Sequence, residues 1–266
     1  MTHDGPGDAV AAVERLVGSC EAVLDTPVVS AILHGSLALA DFRPGRSDLD
    51  LLIVVDDPLA DSEADALVAA VRDADPGPAG GIDLVVVTSE SAAAPAERAR
   101  LELHVGRYAG PSTGLEVERR HDHVPDLWPE LSMARADGLA IRGADPREVI
   151  GEVPADVVRQ RGVHWLNVWL TLTDDDANAV HMVLTACRIW RFAVEGTHCA
   201  KSSAARWALE REPSLVAVGK ALSERQGAPH TTFDPDQVRH VLVTVLEKVR
   251  DHPSRVIASN SRRTMS

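Results

Sequence analysis

An α/β part followed by an almost entirely helical part is the fold class that the sequence predicts, and three observations carry it. Short aliphatic runs at Ala31-Ile32-Leu33, Leu49–Val55 and Ile82–Val87 have the length and β-branched content of buried strands, with helical periodicity between them. From about Pro154 onward the apolar spacing is helical alone. One Tyr and three Phe leave Val, Leu and Ala to fill the cores, and 266 residues suffice for one large domain or two small ones.

In chain order, Ala9 to Leu24 has helical periodicity, and strands follow near 28–34 and 49–55 with a short helical segment after Gly35-Ser36. A helix is expected over Ser62 to Ala74, then the turn Pro76-Gly77-Pro78-Ala79-Gly80-Gly81, then a third strand over Ile82 to Val87. Leu101 to Tyr108 largely alternates apolar and polar residues, which predicts a fourth, half-exposed strand, and Asp126 to Ile141 reads as a closing helix. Beyond Pro154, helices are expected over 155–170, 174–195, 200–211, 214–226 and 235–251. The last has the clearest start: Asp234 as N-cap and Pro235 at the first helical position, where its missing N–H costs nothing. The tail Ser259 to Ser266 is polar and expected to fray.

Composition excludes several classes. A net charge of −13 disfavours nucleic acid, which needs a basic footprint, and favours a cationic partner. No run approaches ~20 apolar residues, so no membrane span is expected. The N-terminal residues lack the basic and apolar regions of a signal peptide. Cys20, Cys187 and Cys199 lie far apart with no C-x-x-C pair, which argues for reduced thiols, a cytoplasmic protein and no zinc site.

The chemistry concentrates in His34-Gly35-Ser36 and, twelve residues after the serine, Asp48-Leu49-Asp50. Residues two apart on a strand share a face, so Asp48 and Asp50 project side by side with Leu49 and Leu51 opposite. Adjacent carboxylates repel unless a cation neutralises them, and Mg2+ takes one or two carboxylates while leaving sites for water and phosphate. The Gly35-Ser36 turn offers close backbone approach, helix-start N–H groups and a hydroxyl for phosphates. Asp83, between Ile82 and Leu84, is the odd residue of its strand and is expensive there unless it faces a polar or metal-bearing site. If its strand lies beside the D-x-D strand, the three carboxylates converge to hold metal and accept a proton. The same residues also fit a plain reading, with Asp48 and Asp50 solvated and Asp83 merely opening its strand.

These residues together resemble the nucleotidyltransferase superfamily: G-S-(x)11-D-x-D with a later strand carboxylate. His181-Met182-Val183-Leu184-Thr185-Ala186-Cys187-Arg188-Ile189-Trp190, then Lys201 and Ala205-Arg206-Trp207-Ala208-Leu209-Glu210, narrow the resemblance to the aminoglycoside 3''/9 adenylyltransferases, over about residues 30 to 250. The resemblance implies an α/β nucleotidyltransferase domain with a mixed sheet over 1–153 and an all-α helical-bundle domain over 154–266. It implies AMP transfer from ATP to a hydroxyl of streptomycin or spectinomycin, with the antibiotic between the domains. Ser36, Asp48 and Asp50 match the ATP and magnesium residues, Asp83 the catalytic base (usually Glu), and Asp126 and Lys201 nucleotide-binding positions. Trp169, Asp174 and His181 match drug-binding positions, Asn178 stands where an acidic drug contact is common, and Tyr108 replaces a cleft tryptophan. A tryptophan and an aspartate at the positions of Trp169 and Asp174 accompany streptomycin as well as spectinomycin binding, which implies dual specificity. Taken alone, Trp169 equally fits helix packing, Asp174-Asp175-Asp176 a helix N-terminus, and His181 an ordinary helix-face histidine.

The sequence thus predicts a monomeric adenylyltransferase that uses ATP and Mg2+ on a small cationic aminoglycoside or aminocyclitol. Two other activities fit the N-terminal motif: a nucleotidyltransferase acting on a protein or another aminocyclitol, and a non-catalytic binder. The long helical half weighs against a protein acceptor, and retention of Ser36, Asp48, Asp50 and Lys201 against the binder.

Overall fold

The computed structural model describes residues 5–97, 99–108 and 114–252. Chain order begins α1 (Pro6–Glu21), β1 (Val28–Leu33), α2 (Gly35–Ala38), β2 (Asp48–Val55), α3 (Asp61–Asp73), β3 (Gly81–Thr88) and α4 (Ser89–Ala93). It continues β4 (Leu101–Tyr108), β5 (Leu115–His121), α5 (Leu127–Asp137), β6 (Leu139–Gly143) and α6 (Pro146–Val149). The helices α7 (Ala155–Trp169), α8 (Ala179–Glu195), α9 (Lys201–Arg211), α10 (Val216–Arg225) and α11 (Pro235–Arg250) complete it. No helix among the described residues is long and apolar enough to cross a membrane.

The six strands form one mixed sheet in the order β5-β4-β3-β2-β1-β6. Only β2 and β3 are parallel, joined by a crossover through α3; the other pairs are antiparallel. Both faces of the central strands are covered, which is why they read as continuous apolar runs rather than alternating ones. Leu49, Leu51, Ile53 and Leu84 pack with Ala9, Val13, Leu16 and Leu67 of α1 and α3. Ile32, Leu52, Val54, Val85 and Val87 face the other way, onto Leu127, Leu131 and Ala134 of α5 and Val158 of α7. A separate core of α7 to α11, including Leu166, Met182, Trp190, Trp207 and Leu242, holds the helical half together. The cation–π contact of Arg211 over Trp207 (3.9 Å) closes one edge of that core.

Two expectations need correction, and one strand was not foreseen. The closing helix over Asp126 to Ile141 ends at Asp137, because Gly138 packs its backbone against Ala134 and Ile32, where a Cβ would lie 2.3 Å from the Ala134 carbonyl oxygen. Leu139–Gly143 then becomes the edge strand β6, pairing with β1, whose N–H and C=O groups would otherwise lack partners. Leu115–His121 forms a second edge strand, unforeseen because Glu116, Glu118, Arg119 and Arg120 break the apolar alternation; such charged edges discourage pairing with other chains. The helix expected from 174 starts at Ala179, after a 3-10 turn at Asp176–Asn178 in which the Asp175 side chain accepts from the Asn178 N–H. The polar tail 259–266 lies outside the described residues.

Candidate active site

The parallel register sets Asp50 of β2 directly beside Asp83 of β3, with Asp48 two residues away on the same face. Three carboxylates therefore crowd the end of the sheet, and their charges show it. Burial, then the charges of Asp83 and Asp48, pushes Asp50 up to about 7. Asp48 is raised by burial and by Asp83, and Lys201 draws it back. Asp83 is held on both oxygens: His104 Nε2 lies 2.9 Å from Oδ1, and the Tyr108 hydroxyl donates to Oδ2 at 3.1 Å. Both partners come from β4, the antiparallel neighbour of β3.

The His34-Gly35-Ser36 turn folds onto Asp50. The His34 N–H donates to the Asp50 carbonyl (3.0 Å), and the Ser36 N–H approaches Asp50 Oδ2 (3.4 Å). Ser36 Oγ is buried without a hydrogen-bond partner among the described residues, an arrangement expected of a group that waits for a ligand oxygen. It lines a cavity of about 120 Å³ shared with Gly35, Asp48, Asp50, Arg188 and Lys201. Burial, then Arg188 and Arg225, lowers Lys201 to about 8. This floor of cations and N–H groups beside carboxylates suits a polyphosphate that brings a divalent cation. At its rim Arg225 of α10 donates to Asp41 Oδ2 (3.0 Å) and to its carbonyl (3.0 Å), and the Ser202 N–H adds a 3.2 Å bond to the same carboxylate. That buried link ties the helical half to the turn after α2.

A second cavity, of about 430 Å³, shares Asp50 with the first and is lined by Asp83 as well. Arg161, Trp165 and Trp169 share one face of α7 at i, i+4 and i+8, while His181, Thr185 and Arg188 share one face of α8 at i, i+4 and i+7; all six line it. The rings of Trp165 and Trp169 stack at 5.8 Å, and His181 meets Trp169 edge-on at 5.9 Å. The charge of Lys201, with burial and Arg188, lowers His181 to about 3 and keeps its ring neutral. Asp126, the N-cap of α5, takes a bidentate pair from Arg161 (2.7 and 2.6 Å) and a bond from Trp165 Nε1 (2.6 Å).

The structure thus brings Ser36, Asp48, Asp50 and Lys201 together around the smaller cavity. Asp50, Asp83, Asp126, Trp169 and His181 gather around the larger one. Tyr108 joins through its bond to Asp83. Asp174 and Asn178 are exposed in the turn before α8, Asn178 bonded through Nδ2 to Asp175 (2.8 Å), and neither lines a cavity described above. Sequence reasoning missed Glu130, His104, Arg161 and Arg225. Glu130 had a signal: it lies four residues after Asp126, on the same side of α5. His104 had none, because only strand pairing sets it against Asp83.

Among the described residues no three or more His, Cys, Asp or Glu form a complete metal cage. The two part-buried, mutually repelling carboxylates of Asp48 and Asp50 fit instead a cation that completes its shell with water and phosphate, which is the habit of Mg2+.

Comparisons with known proteins agree with this geometry. A nucleotidyltransferase domain model matches residues 18–105, and a model described as "Aminoglycoside adenylyltransferase, C-terminal domain" matches residues 148–247. The aminoglycoside (3'') (9) adenylyltransferase of Klebsiella pneumoniae is 26% identical over 207 residues, covering 76% of this chain and 79% of the relative. The spectinomycin 9-adenylyltransferase of Campylobacter jejuni is 24% identical over 228 residues, covering 78% and 83%. The crystal structure of the spectinomycin adenyltransferase AAD(9) from Enterococcus faecialis, with ATP and spectinomycin, has the same fold: TM-score 0.72 at 18% identity, over 91% of this chain and 99% of the other. A nucleotidyltransferase domain on a mixed sheet, followed by a helical half that matches the aminoglycoside adenylyltransferase C-terminal domain, makes this chain an enzyme similar over most of its length to the aminoglycoside adenylyltransferases.

Proposed function

We propose that the protein transfers AMP from ATP to a hydroxyl of streptomycin and of spectinomycin, releasing pyrophosphate, with domains at 1–153 and 154–266. The juxtaposition of Asp48, Asp50 and Asp83 with Lys201 across one cleft carries the reading, since in-line phosphoryl transfer depends chiefly on positioning and charge. The names of the relatives support aminoglycosides as the acceptor class.

Asp48 and Asp50 are the residues that would hold Mg2+, which when bound neutralises charge on the phosphates. The Ser36 hydroxyl and the N–H groups of the Gly35-Ser36 turn hold phosphate oxygens, and Lys201 and Arg188 balance the charge that grows on departing pyrophosphate. Asp83 takes the proton of the attacking hydroxyl; the bonds from His104 and Tyr108 fix its orientation before the acceptor arrives. Asp126 belongs with the nucleotide contacts, while Trp169 offers the acceptor a flat face, with Tyr108, Asp174, Asn178 and His181 as further acceptor contacts.

Mass measurement of each drug after incubation with Mg-ATP tests the acceptor. A gain of one AMP on both is expected. A gain on spectinomycin alone would discard Trp169 and Asp174 as streptomycin contacts, and labelled AMP on a polypeptide but on no drug would overturn the acceptor class. Replacing Lys201 by Met is expected to lower kcat/KM for ATP about 100-fold, the usual cost of removing one charge-stabilising donor. A loss under threefold in steady-state assays would remove Lys201 from the phosphate site.

A further inference from the structure

We propose that Glu130 is the anchor for a cationic nitrogen of the acceptor, an ammonium or guanidinium seated between its carboxylate and the tryptophans of α7. The inference rests on the adenylyl-transfer reading and adds to it a specificity-determining residue.

Four carboxylates line the larger cavity: Asp50, Asp83, Asp126 and Glu130. Three are already engaged. Asp83 holds His104 and Tyr108, Asp126 holds Arg161 and Trp165, and Asp50 faces the Ser36 N–H. Glu130 takes no hydrogen bond from a described residue; His34 Nε2 lies 3.6 Å from its Oε1.

His34 is a second, independent sign of a missing ligand. It is 4% exposed, lines the same cavity, and neither ring nitrogen has a hydrogen-bond partner among the described residues. A buried ring left without a partner costs stability that an incoming polar group recovers, and it stands beside a carboxylate that is open enough to the cavity to receive that group. The charges around Glu130 say which kind of group. Asp50, Asp83 and Asp126 all raise its proton affinity beyond the effect of burial, so a cation arriving beside Glu130 is favoured. Trp165 and Trp169, stacked on each other, line the same cavity, and the Arg161 guanidinium already 5.1 Å from the Trp165 ring shows that this aromatic surface accepts a cation. Its volume of about 430 Å³ is that of a site for a small molecule.

Glu130→Gln, which keeps shape and removes charge, tests this with streptomycin and spectinomycin as probes. The KM for the acceptor is expected to rise tenfold or more while the KM for ATP stays within twofold. Calorimetry of the full-length protein with Mg2+ and a non-hydrolysable ATP analogue should show the same tenfold loss in acceptor affinity, with the melting temperature not lowered. An unchanged acceptor KM overturns the proposal. So does a fall in kcat at unchanged acceptor KM, which would place Glu130 at the reacting atoms instead. If the wild type moves no AMP to either drug, the adenylyl-transfer reading fails, and calorimetry still decides the anchor. Weaker binding by the variant supports it, and equal or absent binding refutes it.

Discussion

Asp50→Asn is expected to reduce AMP transfer at least ~1000-fold and, in magnesium-free buffer, to raise the melting temperature. Both effects come from one cause. The Asp50 carboxylate is buried beside Asp83 and two residues from Asp48, and the fold drives it up to about 7 from an ordinary 3.8. A raised carboxyl means that between about pH 4 and 7 the native state binds more protons at this site than the unfolded chain does. Native stability from this site therefore falls as pH rises through that window. Each unit is worth ~1.4 kcal/mol, so the ionised site costs up to a few kcal/mol, or several degrees in a chain of this size. Asn keeps the shape and removes the charge. Melting curves of both proteins from pH 4 to 8 check it: the wild type should lose stability toward pH 7 without magnesium and regain it with magnesium, whereas the variant should respond weakly to both. Residual turnover above about 1% would take Asp50 out of the metal site. An unchanged melting temperature would show that the carboxylate cluster carries no repulsion that asparagine relieves.

Gly35→Ala is expected to damage activity and stability together, which distinguishes it from the previous variant. Gly35 has φ +66°, a conformation that costs an L-residue roughly 1–2 kcal/mol. An alanine Cβ would also lie 1.9 Å from Asp50 Oδ2 and 2.4 Å from its Cγ, so the carboxylate must move. We expect activity lower by ~100-fold or more, because displacement of a reacting group by an ångström is that costly. The melting temperature should fall by several degrees, in proportion to the backbone strain. Assay and thermal denaturation of the same preparation check both. A variant that is less stable but fully active would mean that the turn does not set the carboxylate's position.

Much of this enzyme is written locally. The period of two along Asp48-Leu49-Asp50 determined that both carboxylates share a face, and the Gly-Ser break located the turn that folds onto them. Trp169 was placed at the cleft only by the family resemblance, whereas Asp234-Pro235 marked the start of the last helix directly. Glu130 was within reach, four residues after Asp126. Other features have no local signature. Whether Asp83 stood beside Asp50 or opened its strand in solvent depended on β2 and β3 pairing in parallel, in that register. The bonds from His104 and Tyr108 to Asp83, from Arg161 to Asp126 and from Arg225 to Asp41 join residues 21 to 184 positions apart. The edge strands β5 and β6 were equally hidden, since β6 exists because β1 has a free edge to satisfy. Sequence periodicity determines which face a side chain takes on its own element. Which elements meet, and so which charges are left without partners, is decided only when distant segments compete to satisfy one another's backbone groups and bury one another's apolar faces.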